Sequence, residues 1–313
     1  NVKEMDVRIP KGKLTVVSGV SGSGKTTLLL EALYPTIKSH ISGEDLPDNI
    51  NDLECGGINK IELIDSVPIG KNVRSTVATY SKVLDDLRRE FSKLSDEYRM
   101  ADFSYNTGKL RCETCNGTGS VSMDVQFLPD VEMTCPDCDG SRYNENIEKT
   151  RFNGLSLADI MSLTIDEALE ELFELEKVTS KLQKLSDLGL GYLTLGEATP
   201  SLSGGEAQRL KLASEIGKSQ KNSVFIFDEP TIGLHPLDVK VLIDVFDNLI
   251  DRGATVIVIE HDLDLIANAD YIIDIGIDDG FKGGEILASG SLEDIVNSKN
   301  SLTGKYLYEK RLL

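Results

Sequence analysis

A short stretch near the start of the chain has the residue types of a phosphate-binding loop. GVSGSGKT occupies positions 19–26 and fits the pattern G-x-x-x-x-G-K-[ST]. Its glycines allow consecutive backbone N–H groups to turn toward phosphate oxygens, and a helix that starts after it adds the positive end of its dipole. In such a loop Lys25 reaches the β- and γ-phosphates of a nucleotide, and the Thr26 hydroxyl ligates Mg²⁺. The predicted nucleotide contacts in this loop are Gly19, Ser21, Gly22, Gly24, Lys25, Thr26 and Thr27.

Two adjacent carboxylates later in the chain supply the acidic half of the same chemistry. Asp228 and Glu229 follow SVFIF (223–227), an apolar run typical of a buried strand. At the end of a strand Asp228 is placed to hold Mg²⁺, usually through water, and Glu229 to polarise an attacking water molecule. Adjacent carboxylates can also cap a turn, and the loop above can be a plain glycine turn. Their joint presence favours an ATP-hydrolysing site.

Four of the cysteines have the spacing of a metal clip. Cys112-x₂-Cys115 and Cys135-x₂-Cys138 suit a tetrahedral zinc site, with glycines after each pair where the backbone must turn toward the sulfurs. Rubredoxin-like iron uses similar spacing, and the glycine-following pairs also resemble the zinc region of DnaJ chaperones. Vicinal disulfides or free thiols are disfavoured. Cys55 is left over and is expected to be an inert, buried or half-buried thiol.

Apolar and amphipathic segments alternate at both ends of the chain, which predicts an α/β domain with a parallel sheet. Strands are predicted at 13–20, 59–65, 223–227, 255–259 and 271–276, and helices at 25–34, 83–100, 164–188 and 237–250. The cysteine pairs lie between the phosphate loop and the second set of strands. The simplest organisation is one α/β nucleotide domain, split by an insertion from about 70 to 155 that holds the metal module.

The composition limits the class of protein. The chain has 313 residues, 40% of them hydrophobic and 27% charged, as in an ordinary globular protein. It has no apolar run near ~18 residues and no secretory signal, and its cysteines suggest a reducing compartment, so we expect a cytoplasmic protein. The net charge of −19 argues against nonspecific nucleic-acid binding. Residues 71–111 carry nine Lys/Arg against six Asp/Glu, which a solvated helix face explains equally well.

Two further segments resemble the ABC-type ATPases. LSGGEAQRLKLA (202–213) matches their signature motif, and IEHDLDLI (259–266) matches their switch-histidine segment. In that family the phosphate loop of one nucleotide domain faces the signature of another across ATP. The resemblance therefore implies that His261 senses the γ-phosphate, that Ser203, Gly204 and Gly205 reach a partner's ATP, and that a second nucleotide domain completes each site.

Combined with the cysteine insertion, these motifs resemble the UvrA family, the damage-recognising subunit of bacterial nucleotide excision repair. The resemblance covers essentially the whole chain and points to the second, C-terminal nucleotide domain. It includes PIGKNVRSTVATY (68–80), FLPD (127–130), GLGYLTLGEATPSLSGGEAQRLKLASEI (189–216), DEPTIGLHP (228–236) and ADYIIDIG (269–276).

The resemblance implies a P-loop ABC ATPase with a helical signature-domain insertion carrying a Cys₄ zinc module. The expected parts are 1–70, the first part of the core; 71–155, the insertion with its zinc module at 112–138; 156–200, a helical signature subdomain; and 201–313, the second part of the core. The expected cofactors are ATP, Mg²⁺ and Zn²⁺. The expected partners are damaged double-stranded DNA, a second UvrA-type nucleotide domain or a second copy, and a UvrB-like protein that binds outside this chain.

One residue departs from the family pattern and leaves other functions open. UvrA proteins usually carry a glutamine where Ser66 stands, and the shorter serine would reach Mg²⁺ or the attacking water only through another water. With the acidic charge, this supports a UvrA-like paralogue that serves in resistance to DNA-directed antibiotics. A transporter nucleotide subunit is disfavoured by the cysteine insertion. A binding module that uses ATP as a clamp is the third alternative.

Overall fold

The computed structural model describes residues 5–65, 67, 69–70, 72–123, 131–215, 220–232, 234, 236–276 and 284–311. Its strands are β1 (Leu14–Ser18), β2 (Lys60–Ile64), β3 (Ser120–Met123), β4 (Val131–Thr134), β5 (Arg151–Phe152), β6 (Leu155–Ser156), β7 (Ser223–Asp228), β8 (Thr255–Ile259), β9 (Tyr271–Ile275) and β10 (Ile286–Gly290). A π-helical turn spans Thr27–Leu33, and 3₁₀ turns span Glu145–Lys149 and Thr199–Ser201. The α-helices are α1 (Tyr34–Ser42), α2 (Val77–Tyr80), α3 (Val83–Leu94), α4 (Leu157–Ser162), α5 (Ile165–Glu171), α6 (Glu176–Asp187), α7 (Gly204–Glu215), α8 (Pro236–Asp251), α9 (Leu263–Ala267), α10 (Leu292–Asn297) and α11 (Leu302–Arg311).

The chain divides into two compact units. The sheet unit consists of Asn1–Val67 with Ile216–Leu313, and the insertion unit is Pro68–Glu215. The insertion unit holds the cysteine pairs and also α7, the helix that follows the signature serine. The division into four parts made from the sequence is finer than this and stays a prediction.

A six-stranded mixed sheet forms the centre of the sheet unit. Its strand order is β10-β9-β1-β8-β7-β2, with β10 antiparallel to β9 and the other neighbours parallel. Every residue of β1 and β8 is buried, as expected of central parallel strands covered on both faces. Because the carboxyl ends of parallel strands lie at one edge, the segments after β1, β7 and β8 meet there. The predicted parallel strands are confirmed, and the antiparallel edge strand β10 is an addition.

The insertion unit has a helical core of its own. Helices α3, α5 and α6 pack together, and the rings of Phe91 and Phe103 meet edge to face with centroids 5.9 Å apart. Two helices differ from the ranges that their apolar periodicity predicts. The helix predicted at 83–100 ends at Leu94, because the Ser95 side chain accepts a hydrogen bond from the Tyr98 N–H (3.0 Å) and fixes a turn. The segment 164–188 is two helices, interrupted so that Leu172 is fully buried.

Candidate nucleotide site and candidate metal centre

The phosphate loop follows β1 and needs glycine at its first position. Gly19 has φ +135°, and a Cβ atom there would lie 2.2 Å from the Ile275 carbonyl oxygen of β9. Gly22 and Gly24 also have positive φ, and Thr26, an exposed residue, directly precedes the π-helical turn. The loop therefore has the conformation that the sequence pattern predicts.

The Lys25 amine is held inside this loop. Its Nζ donates to the carbonyl oxygens of Gly19 and Val20, each at 2.9 Å, and the residue is 5% exposed. Burial lowers the pKa of Lys25, and the nearby carboxylates of Glu229, Asp274 and Asp228 oppose that effect. Lys25 thus lies near several carboxylates. A bound phosphate would pair with the lysine, and a bound divalent cation would pair with the carboxylates.

Asp228 and Glu229 lie at the end of β7, beside β8. Burial raises the pKa of Asp228, and the charges of Glu229 and Asp65 add to this while Lys25 opposes it. A cluster of carboxylates is a favourable place for a divalent cation, because the cation offsets their mutual repulsion. Asp228 therefore fits the predicted role as a Mg²⁺ ligand.

Glu229 and His261 are brought into contact from different strand ends. Glu229 Oε1 lies 3.2 Å from His261 Nε2, and both side chains are partly exposed. Glu229 also has φ +47°, a left-handed conformation that is uncommon for residues other than glycine. Its backbone N–H donates to the Ile259 carbonyl oxygen at 3.0 Å, which fixes this turn against β8. Strained backbone of this kind clusters at functional sites.

Sequence reasoning missed Glu260, which lies directly before the histidine. Its side chain is 2% exposed and accepts hydrogen bonds from the Thr231 N–H and hydroxyl and from the N–H groups of His261 and Asp262. The available signal was an acidic residue immediately after a run of buried strand residues. Such a carboxylate is either paired or strained, and this one is fully hydrogen-bonded.

The signature segment lies in the insertion unit and begins α7 with a capping box. The Ser203 N–H donates to Glu206 Oε2 at 2.6 Å, and the Glu206 N–H donates to Ser203 Oγ at 3.4 Å. Tyr192, which was not predicted, donates its hydroxyl to Glu206 Oε1 at 2.6 Å. Burial and the Glu206 carboxylate raise the pKa of Tyr192 to about 12. Burial would raise the pKa of Glu206, but hydrogen bonds from Tyr192 and Ser203 hold it below its usual value.

One predicted contact cannot be placed. Ser66 lies outside the described residues, so its proposed position near Mg²⁺ stays a prediction. In the sheet unit, the structure places Lys25, Asp228, Glu229 and His261 at the same edge of the sheet. Cys55, in the same unit, is buried, and burial raises the pKa of its thiol, as expected of an unreactive cysteine.

The four clustered cysteines form a set of sulfurs that fits a tetrahedral metal ion. All four Sγ atoms lie within 4.8 Å of one another, with Cys112 and Cys135 at 3.9 Å and Cys115 and Cys138 at 3.7 Å. A zinc ion bound at about 2.3 Å by four sulfurs sets them about 3.8 Å apart, whereas a disulfide needs about 2.05 Å. The disulfide alternative is therefore excluded. Burial would raise the pKa of Cys115, but hydrogen bonds led by the Gly119 N–H lower it to about 7.

Arg142 anchors this cysteine module and was also missed from sequence. It is 8% exposed, and its guanidinium donates to the carbonyl oxygens of Val73 at 2.9 Å and Gly196 at 3.4 Å. It also lies over the Tyr105 ring, 5.4 Å from the centroid. The module is thereby tied to two segments that are distant from it along the chain.

The geometry at the sheet edge defines a class of protein: a P-loop nucleotide-binding protein with a lysine, paired carboxylates and a histidine at one edge of a mixed α/β sheet. A protein-family model described as ABC transporter matches residues 2–232. The chain belongs to this family, and its fold is the P-loop fold of ABC ATPases. The predicted fold class is confirmed.

Proteins named UvrA are similar to nearly the whole chain. UvrABC system protein A of Staphylococcus aureus (strain COL) is 45% identical over 316 residues, which cover 99% of this chain and 33% of that protein. Its counterpart in Clostridium perfringens (strain 13 / Type A) is 44% identical over 314 residues, 98% of this chain and 33% of that protein. The crystal structure of UvrA2 from Deinococcus radiodurans superposes with a TM-score of 0.90 at 38% identity, covering 98% of this chain and 38% of that one.

These matches confirm the resemblance to the UvrA family. They also show that the chain spans about a third of the length of the curated relatives that it matches. In the described part of the chain, no helix is both long enough and apolar enough to cross a membrane.

Proposed function

We propose that this chain is the ATP-hydrolysing part of a DNA-damage-recognition protein of the UvrA type, in which the nucleotide state controls binding to duplex DNA. The observation that carries the proposal is the similarity to UvrA proteins over 99% of the chain, which includes both the nucleotide site and the cysteine module. An ABC ATPase with a different role would need only the first of these two sites.

The residues at the sheet edge suit ATP hydrolysis. Lys25 would bind the phosphates, and Thr26 and Asp228 would hold Mg²⁺. Glu229 would polarise the attacking water, and His261 would sense the γ-phosphate. When bound, Mg²⁺ offsets the charge that develops on the phosphates. Because the chain has one phosphate loop and one signature, Ser203–Gly205 would serve the ATP of a second nucleotide domain. We propose that this domain is a related UvrA-type domain or a second copy.

The similarity to UvrA proteins, which extends over the cysteine module, supports the choice of DNA as partner. We propose zinc as the metal of this module, because a loop-rich cysteine module without an apolar core of its own among the described residues would gain its fold from the ion. Arg142 links the module to the segment at Gly196, which leads toward the signature residues. The proposed ligand is damaged double-stranded DNA, and a UvrB-like protein would bind elsewhere in the protein. ATP, DNA and reduced thiols are all consistent with a cytoplasmic location.

Fluorescence anisotropy tests this function. A labelled duplex, with and without one bulky adduct, is titrated with the Glu229→Gln form in the presence of ATP and a second nucleotide domain, over a salt series. Tighter binding to the adduct, with a clear salt dependence, supports damage recognition. Failure to bind either duplex at low salt, with ATP and zinc bound, would reject it.

A second candidate is a UvrA-like paralogue that serves in resistance to DNA-directed antibiotics. Ser66 at the usual glutamine position and the net charge of −19 favour it. In this case the two duplexes would bind equally weakly in that titration. ATP turnover by the wild-type chain with its second nucleotide domain would change when the antibiotic–DNA complex is added, and these two readouts separate the candidates.

A further inference from the structure

Glu260 joins the two segments that carry Glu229 and His261, and nothing in its sequence context assigns it a role. We propose that Glu260 is a positioning residue: its buried carboxylate sets the switch histidine relative to the turn that follows the paired carboxylates. The inference rests on the proposed ATPase activity, and it concerns how the site is assembled before nucleotide binds.

The hydrogen bonds of Glu260 are divided evenly between its two oxygens. Oε1 accepts from the Thr231 N–H at 2.9 Å and from the Thr231 hydroxyl at 2.5 Å. Oε2 accepts from the N–H of His261 at 2.6 Å and of Asp262 at 3.0 Å. An ionised carboxylate has the acceptor capacity for all four donors. Each oxygen therefore holds a different segment, one after β7 and one after β8.

These contacts matter because they fix the backbone that carries the histidine. The His261 side chain is 45% exposed, and its Nε2 lies 3.2 Å from Glu229 Oε1. Glu229 in turn lies only two residues before Thr231. Glu260 therefore holds the backbone on both sides of the Glu229–His261 pair. A shift of about 1 Å in such a pair can lower a rate about a hundredfold.

The four donors around Glu260 require a carboxylate, because both of its oxygens must accept hydrogen bonds. In a Glu260→Gln variant the amide oxygen can satisfy one pair of donors, but the NH₂ group must face the other pair. If the NH₂ group faces Thr231, the hydroxyl can turn to accept from it but the Thr231 N–H loses its acceptor. If it faces the other turn, the N–H groups of His261 and Asp262 both lose theirs. Because the site is 2% exposed, water has little access to replace the lost acceptor.

The first test compares steady-state turnover and nucleotide binding in three variants. We expect Glu260→Gln to lower kcat about tenfold to a hundredfold, with KM for ATP and the Kd of a fluorescent ATP analogue within about twofold of wild type. Thr231→Val, which removes one of the four donors, should give a smaller loss of kcat. Thr231→Ser keeps the hydroxyl and should restore the wild-type rate.

The second test does not depend on activity. In ¹⁵N-histidine-labelled protein the ring signals of His261, identified by their loss in His261→Asn, should shift in Glu260→Gln and Thr231→Val but not in Thr231→Ser. The proposal would be overturned if the ring signals stay unchanged in Glu260→Gln and Thr231→Val. It would also be overturned if both variants have a lower melting temperature than the wild type but the same kcat. If Glu260→Gln does not fold, the Thr231 pair decides the question. If the wild type hydrolyses no ATP even with a second nucleotide domain present, the proposed function fails while the ring signals still test the positioning.

Discussion

The nucleotide edge of the sheet unit and the cysteine module of the insertion unit are positioned in contrasting ways. At the nucleotide edge, catalytic side chains follow strands whose residues, such as Val17, Ile226 and Ile257, form a continuous apolar core. In the cysteine module, the buried cluster found among the described residues consists of the four cysteines, with Val121 packed beside them. The first site is shaped by packing and the second by its own ligand atoms.

This difference has a physical consequence. Apolar burial of about 25 cal/mol per Å² stabilises the sheet whether or not a nucleotide is bound. Four thiols held within 4.8 Å of one another lack that support, and their mutual repulsion when ionised must be offset by a cation. We therefore expect the nucleotide site to tolerate loss of its ligand and the cysteine module to unfold without its metal.

The largest expected effect is the replacement of one metal ligand. Cys135→Ser removes one of the four sulfur ligands and should abolish zinc binding. The effect on folding should be large, because zinc contributes about 10–16 kcal/mol in small zinc-dependent peptides. Amides of residues 111–123 and 131–143 should lose protection from hydrogen exchange, while β1, β7 and β8 stay protected. Cys55→Ser, the matched control, should retain the metal and all protection. The proposed difference between the two sites is contradicted if Cys135→Ser still binds one equivalent of zinc, or if the strands of the sheet lose protection from hydrogen exchange as well.

Changing Glu229 should affect chemistry and leave the fold intact. Glu229→Gln removes the group that orients the attacking water, so kcat should fall about 10²- to 10⁴-fold while ATP still binds. The measurement is phosphate release with a second nucleotide domain present. The exposed Glu293→Gln on α10 is the control and should keep the wild-type rate. Undiminished turnover in Glu229→Gln would contradict the role assigned to it.

A pair of glycine variants measures how strictly packing defines the phosphate loop. Gly19→Ala places a Cβ 2.2 Å from the Ile275 carbonyl oxygen, so the loop or β9 must move, whereas Gly12 also has positive φ but has open space around it. Gly12→Ala should cost about 1 kcal/mol of unfolding free energy and leave nucleotide affinity unchanged. Gly19→Ala should cost more and weaken binding at least tenfold. Equal affinities by fluorescent-nucleotide titration would show that the loop adjusts freely.

The smallest effect is expected at the signature capping box. The pKa of Glu206 is depressed in the folded protein, so its stabilisation is present above the unfolded pKa and is lost as pH falls through the folded value. Tyr192→Phe removes one hydrogen bond to that carboxylate, so the folded pKa of Glu206 should move up toward its unfolded value and the variant should lose less stability on acidification than the wild type does.

Ultraviolet titration provides a second readout of the same contact. The wild-type minus Tyr192→Phe difference should show a tyrosine with a pKa of about 12. In a Glu206→Gln background that pKa should fall toward the ordinary value of about 10. A tyrosine that titrates identically in both backgrounds would exclude the hydrogen bond to Glu206.

The sequence predicted what depends on local chemistry. The phosphate loop, the paired carboxylates and the cysteine pairs are short contiguous motifs, and each residue type in them is required by the chemistry of the ligand that it binds. Glu260 and Arg142 could not be found this way, because their partners lie far along the chain: 29 residues separate Thr231 from Glu260, and 69 separate Val73 from Arg142. Helix periodicity also failed at Ser95, where a hydroxyl competes for backbone donors.

The pairing of β1 has a consequence for synthesis of the chain. Leu14 pairs with Val256, about 240 residues later. At about 5–20 residues per second, the strand before the phosphate loop waits roughly ten to fifty seconds for that partner. The insertion unit, synthesised in between, can fold during this interval as a unit of its own. The phosphate loop is thus made early but takes its place in the sheet late, and until then its strand is an unpaired apolar segment that chaperones can bind.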